Sequence, residues 1–167
     1  MRWSTLKTLV VVGLSASLLA GCGFQLRGGA KLEGVDAVRV EAANTTTRDI
    51  LGVFLTDGGV QVVKDPKAPA DAVLTVANER YDRRVLTIDP NTGKAREYEL
   101  AYSAQFGLVD SEGKPMVRRQ TLQLKRDFVF DADAVIGKSR EEGVLREEMR
   151  RDGIQQIIRR LRALLKQ

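Results

Sequence analysis

The sequence predicts an α+β fold, a two-layer sandwich with two helices packed on one face of a mixed four- to five-stranded sheet. Three observations carry this reading. In residues 97–108, Tyr98, Leu100, Tyr102, Ala104, Phe106 and Leu108 alternate strictly with Glu97, Glu99, Ala101, Ser103, Gln105 and Gly107, the period of a strand with one buried and one wet face. Two other segments, starting near residues 46 and 139, set apolar residues at helical spacing on single stripes. The order is strand, helix, strands in a meander, helix, so each helical stripe finds its partner in the sheet's apolar face.

The chain opens with Arg2 and Lys7, an apolar run from Leu9 to Leu19, and small residues at Ala20 and Gly21, the build of a removable export signal over 1–21. That run is shorter than the roughly 20 apolar residues that span a bilayer. Leu19, Ala20, Gly21 and Cys22 resemble the bacterial lipobox, in which the chain is cut before a lipidated cysteine. A lone cysteine can also be a small buried hydrophobe or seek an intermolecular disulfide. Residue 22 precedes anything that could form a core, which favours lipidation at Cys22. A thiolate is the best nucleophile for alkylation, and acyl chains at about 0.8 kcal/mol per buried methylene hold a protein at a membrane. The residue after the cysteine is Gly23 rather than an aspartate retention signal, so the expected destination is the outer membrane.

Residues 22–34 read as the lipidated cysteine and a tether, with four glycines in 23–34 and no sustained period. Residues 35–167 form one domain. "VDAVRVEA" (35–42) is a first strand. Thr46 with Asp49 is a helix start; Ile50, Leu51, Phe54 and Leu55 share a face, and Gly58 and Gly59 end the helix. "VQVV" (60–63) is a short strand. Residues 72–88 form a long one whose polar middle, 78–84, is a bulge or an overhang past the sheet. "DPNTGK" (89–94) and "DSEGKP" (110–115) are turns. Leu122, Leu124, Phe128 and Phe130 mark the last strand, with Arg126 interrupting its apolar face. Ser139 with Glu142 is a capping box for a terminal helix carrying Leu145, Met149, Ile154, Ile157, Ile158, Leu161, Leu164 and Leu165; Gly143 and Gly153 weaken it slightly.

Composition narrows the chemistry. The 167 residues include one cysteine and no histidine, which removes the usual zinc ligands, the Ser/His/Asp triad and the Cys/His dyad. No cofactor or metal is expected. The carboxylate pairs Glu97/Glu99, Glu141/Glu142 and Glu147/Glu148 sit on wet faces, where solvation rather than acid–base catalysis is their role. The glycines at 28, 29 and 34 lack the spacing of a nucleotide loop. The chain carries 27 basic and 22 acidic residues; loss of Arg2 and Lys7 with the signal leaves 25 against 22, a net of +3, so anion binding must come from local clustering. Aromatic residues are 5% and form no base-stacking strand motif, which argues against nucleic acid.

Two cationic places stand out. Lys138 precedes the Ser139 cap, beside the free N–H groups of the terminal helix, a natural phosphate position; it reads equally as a solvent-facing lysine. Lys94 and Arg96 flank the hairpin tip, with Arg80, Arg83 and Arg84 on the strand opposite, although exposed turns also carry cations for solubility alone.

The stretches "LLAGCGFQLRG", "LTIDPNTGKAREYELAY" (86–102) and "FDADAVIGKSREEGVLREEMRRDGIQQIIRRL" (130–161) resemble the LptE family of lipopolysaccharide-assembly lipoproteins in the Gram-negative outer membrane, across essentially the whole mature chain. The resemblance implies a non-enzymatic protein, lipid-anchored on the periplasmic side of the outer membrane or within the lumen of a β-barrel partner, LptD. There it acts as plug and assembly aid and binds lipopolysaccharide through basic residues. Lys138 matches the family's lysine at the start of the terminal helix. The hairpin tip is longer here than in the family pattern, so Lys94 and Arg96 are the candidates at that position. The alternative from another class is a general envelope lipoprotein serving as periplasmic scaffold or transport accessory without lipopolysaccharide, recognisable by an inner-membrane transporter as partner.

Overall fold

The computed structural model describes residues 32–129 and 135–166, with side chains throughout except at residues 135–139. Cys22, the expected export signal over 1–21 and Phe130 lie outside the described residues. Seven elements follow in order: β1 (Ala37–Ala42), α1 (Thr45–Asp57), β2 (Gln61–Val63), β3 (Ala72–Ile88), β4 (Ala95–Asp110), β5 (Pro115–Val129) and α2 (Val135–Leu165). The strands form one sheet in the order β2-β1-β3-β4-β5. β1 is parallel to β2 and β3, and the β3-β4-β5 meander is antiparallel, giving the mixed two-layer α+β sandwich with five strands.

The buried half of the β4 alternation is realised as expected, whereas Glu99 and Ser103, on the face read as wet, are buried too. Leu100, Tyr102, Ala104, Phe106 and Leu108 are buried, in register with Leu74 and Val76 of β3 and Leu122 of β5. Val38 and Val40 of β1 continue that face. Both helices lie on it: α1 covers β1 and β2, α2 covers β4 and β5, and the helices touch each other. Leu51 and Leu55 of α1 and Met149, Ile154, Ile157, Ile158 and Leu161 of α2 complete one cluster, which also takes in Leu32 and Val35 ahead of β1. Each fully buried aliphatic side chain contributes about 1.5–3 kcal/mol.

Three local readings change. The N-cap of α1 is Asn44, whose side chain accepts from the Thr47 N–H at 3.3 Å, not Thr46; asparagine caps at least as well as threonine, and the shift turns Thr47 inward. α2 starts at Val135, so Lys138 and Ser139 lie in its first turns and Ser139 is not the cap. A Ser-x-x-Glu spacing within a helix looks the same in sequence as one at its start, because i,i+3 neighbours share a face either way. Gly153, read as a weak point, is instead a contact: a Cβ there would stand 2.6 Å from Tyr102 Cε1 and 3.3 Å from Leu122 Cδ2, so the missing side chain lets α2 close onto the sheet.

The polar middle of β3 is a bulge within one continuous strand. Between Ala77 and Arg80 the register with β4 slips by one residue, and Asn78 adopts φ 53°, a left-handed conformation that asparagine tolerates better than most side chains. The bulge brings Glu79 to the helix side. Its carboxylate accepts from the Thr47 hydroxyl of α1 at 2.7 and 2.9 Å, from the Tyr102 hydroxyl of β4 at 3.1 Å and from Arg150 Nε of α2 at 3.0 Å. Arg150 also donates to Glu147 at 2.6 Å.

Gly153→Ala is expected to lower stability by about 1–2 kcal/mol, overpacking against Tyr102 outweighing the helical gain of alanine. Gly143→Ala, whose Cβ meets nothing within 4 Å, is expected to raise it by up to about 1 kcal/mol. Denaturant unfolding of the two variants checks both signs.

Candidate functional site

The meander extends beyond the aliphatic core as a long β3–β4 hairpin. Asp89 shapes its tip: its carboxylate accepts from the Asn91 and Thr92 N–H groups at 2.9 and 3.0 Å, its backbone pairs with Lys94 and Gly93, and Gly93 supplies the φ of 69° that the turn requires. Lys94 and Arg96 stand together here, both exposed. Arg96 approaches Asp89 only to 3.9 Å, and the Lys94 ammonium has no ion pair among the described residues. Val85, Leu86 and Ile88 near the tip and Val129 at the end of β5 are also exposed, so cations and aliphatic surface share this end of the sheet.

Contacts between α2 and β3 show where the terminal helix points. Arg150 meets Glu79, the Arg146 carbonyl accepts from the Tyr81 hydroxyl at 2.8 Å, and Glu142 meets Arg83 at 3.0 Å. Each two-residue step along β3 toward the hairpin, about 6.6 Å, thus matches one turn of α2 toward its start, about 6 Å over four residues. The first turn of α2, which carries Lys138, follows that progression toward the hairpin end. The Lys138 side chain itself lies outside the described residues.

Strand alternation divides the three arginines that the sequence grouped. Arg83 faces the helix, where its guanidinium lies 4.8 Å from the centre of the Tyr98 ring and pairs with Glu142, which Arg146 also holds at 2.6 Å. Arg84 faces the open side of the sheet and grips Glu99 through Nε at 2.7 Å and Nη2 at 3.1 Å, with Lys125 Nζ at 3.2 Å from the same carboxylate. Arg80 pairs with Asp82 in solvent. Withdrawal from water acts to raise the Glu99 pKa, but Lys125 and Arg84 together hold it below the usual carboxylate range. Glu99 is therefore a paired anion that ties three strands, unsuited to proton transfer. Arg126, which interrupts the apolar face of β5, meets Asp152 and Glu148 of α2.

The sequence does not single out Tyr81, and it marks Tyr98 only as a strand position and Glu142 only as a capping-box acid on a wet face, so none is expected to hold Arg83 or the helix. Their one signal was that Arg83, Tyr81 and Tyr98 share the parity of buried positions on their strands, provided the bulge is counted. Elsewhere, a cleft of about 1230 Å³ beside α1 and β2 sets Arg39, Arg48 and Lys64 among Glu41, Asp49 and Asp57, a balanced lining separate from the hairpin tip. Among the described residues no group of histidine, cysteine, aspartate and glutamate could hold a metal ion, and no helix is long and apolar enough to cross a membrane.

Fold and site define a small two-layer α+β domain whose distinguishing feature is a cationic, partly aliphatic hairpin end. The chain matches the family model LptE, described as lipopolysaccharide-assembly, over residues 31–161, and it belongs to that family. It is 28% identical over 159 residues to the LPS-assembly lipoprotein LptE of Pectobacterium atrosepticum, covering 91% of this chain and 83% of that one. The solution structure of a lipoprotein B from Nitrosomonas europaea superposes with a TM-score of 0.71 at 27% identity, over 86% of this chain and 93% of that one. The crystal structure of a minor lipoprotein from Acinetobacter baumannii does so with a TM-score of 0.62 at 28% identity, over 77% and 91%.

The Asp89 carboxyl is held below its ordinary pKa of 3.8, first by the Asn91 and Thr92 N–H groups and further by Arg96. A depressed carboxylate pKa stabilises the folded turn above the ordinary value and loses that contribution as pH falls through the lowered one. Amide chemical shifts of Asn91 and Thr92 are therefore expected to titrate together with a midpoint below 3.8; Asp89→Ala is expected to abolish that titration and loosen the tip.

Proposed function

We propose that this chain is an outer-membrane lipoprotein that binds lipopolysaccharide and serves as plug and assembly aid of an LptD-type β-barrel. The lipid on Cys22 holds it at the membrane, residues 1–21 being its export signal and the segment from residue 22 its tether. Lipopolysaccharide meets the hairpin end through Lys94, Arg96 and Lys138, with no catalytic step. The observation that carries this reading is the family match across 31–161 together with a hairpin end that mixes exposed cations and aliphatic side chains. Such a surface suits an amphiphile whose phosphates take charge-assisted hydrogen bonds from lysine and arginine and whose acyl chains prefer apolar neighbours. The polar outer face of the sheet, with Arg84, Glu99 and Lys125, fits contact with the polar interior of a barrel wall.

Replacing Lys94, Arg96 and Lys138 together by glutamate is expected to weaken lipopolysaccharide binding at least about tenfold, three charge-assisted contacts being lost, with an unchanged circular dichroism spectrum. Unchanged binding would place the ligand elsewhere. The wild-type lipoprotein, extracted under conditions that keep envelope complexes intact, is expected to co-purify with a large barrel protein. Recovery only as a free monomer, or with an inner-membrane transporter, contradicts the partner assignment.

A further inference from the structure

We propose that Arg83 is an additional phosphate-binding cation of the hairpin end, held in reserve by Glu142, whose carboxylate occupies it until an anionic ligand takes that place. This rests on the lipopolysaccharide reading and adds to it a residue pair that controls the same surface.

Arg83 stands on the hairpin arm that leads to Lys94 and Arg96, and Glu142 lies one helical turn after Lys138 in α2. The guanidinium is already oriented: it lies 4.8 Å from the centre of the Tyr98 ring, and that ring stacks on Phe128 at 5.7 Å. Its side chain is 45% exposed, whereas Glu142 is 13% exposed, so a ligand can reach the arginine while the carboxylate stays tucked against the helix. The single Arg83–Glu142 contact, Nη1 to Oε2 at 3.0 Å, is easily exchanged. Glu142 keeps two other hydrogen bonds through Oε1, from Arg146 Nη2 at 2.6 Å and Nε at 3.1 Å, and so is not stranded when Arg83 leaves. Phosphate oxygens accept from a guanidinium in the same planar geometry as a carboxylate and carry more charge. The exchange therefore preserves Arg83's hydrogen bonding while adding a ligand contact on the hairpin arm.

The test titrates the full-length protein in detergent with purified lipopolysaccharide and with a dephosphorylated preparation, at low and high salt. Glu142→Gln keeps the side-chain shape and frees Arg83; it is expected to tighten binding of the phosphorylated ligand by up to about fivefold, the scale of a half-exposed ion pair, and to leave the dephosphorylated one unchanged. Arg83→Gln is expected to weaken binding and flatten its salt dependence, and Arg83→Lys, which keeps the charge, to restore most of that slope. In the double variant Arg83→Gln/Glu142→Gln the tightening is expected to vanish. Tightening that persists without Arg83 would show only the removal of a negative charge, and no tightening in Glu142→Gln would show that nothing is held in reserve; either result overturns the proposal. A Lys94→Gln/Arg96→Gln/Lys138→Gln variant separates the two levels. If it binds like wild type, the lipopolysaccharide reading itself fails; if it binds weakly while Glu142→Gln changes nothing, only the Arg83 proposal falls.

Discussion

One carboxylate joins four elements of this fold. Glu79, on β3, accepts hydrogen bonds from Thr47 of α1, Tyr102 of β4 and Arg150 of α2, and it reaches all three because the bulge at Asn78 turns it out of the strand's regular alternation. The Glu79 and Arg150 side chains are each only 11% exposed, so removal of Arg150 leaves the Glu79 charge poorly solvated, a loss on the order of 3–5 kcal/mol for buried pairs, whereas without Glu79 the guanidinium still has Glu147. An apolar replacement of the whole pair could be as stable; what the pair adds is direction, since only one rotation and register of α2 brings Arg150 to Glu79. The surrounding phenols feel the same seclusion. Burial raises the Tyr81 pKa to about 12, with the Glu79 charge pushing the same way, and raises Tyr102 further. A raised phenol pKa favours the folded state fully below the ordinary value near 10 and loses that contribution as pH climbs toward 12, so the junction is intact at neutral pH.

From this junction outward the helix–sheet contact changes character. Beyond Met149, α2 is held by aliphatic packing against β4 and β5. Toward its start, β3 offers Tyr81 and Arg83 instead of aliphatic residues, and α2 answers with the Arg146 carbonyl and Glu142. Arg146 and Arg150 also lie 5.4 and 5.7 Å from the centre of the Tyr81 ring, a cation–π arrangement. Half-exposed ion pairs of this kind contribute little stability each, but they exchange readily with solvent ions or ligands. The fold thus has a firmly packed end under the two helices and an ionic end at the hairpin, and it is at the second that we propose lipopolysaccharide is met.

Much of this was legible in the sequence because the physics is local. The alternation of Tyr98 to Leu108 fixed both the strand and its buried face, Pro90 with Gly93 marked the hairpin turn, and the stripe from Met149 to Leu161 marked the terminal helix. The cationic tip at Lys94 and Arg96 was legible for the same reason. What escaped depends on contacts distant in sequence. The polar stretch 78–84 allowed a bulge or an overhang, but nothing in it says which, or that the bulge redirects Glu79 toward Arg150, 71 positions later. Nor can the run Arg80, Arg83, Arg84 show that its members go to solvent, helix and open sheet face respectively, because the parity that separates them is set by that bulge. Gly153 reads as a helix weakness until Tyr102 is seen beneath it.

The most direct test of this account is amide hydrogen exchange on a Glu79→Gln variant. Glutamine keeps an acceptor for Thr47 and Tyr102 but removes the charge that faces Arg150. If the junction directs α2 over the hairpin, amides between residues 140 and 150 will exchange at least about tenfold faster, the scale of a lost charge-assisted hydrogen bond, while those of Ile154 to Leu161 stay protected by the core. Unchanged exchange in the first half of α2, or an equal acceleration along the whole helix, would show that the helix is placed by apolar packing alone and contradict the account.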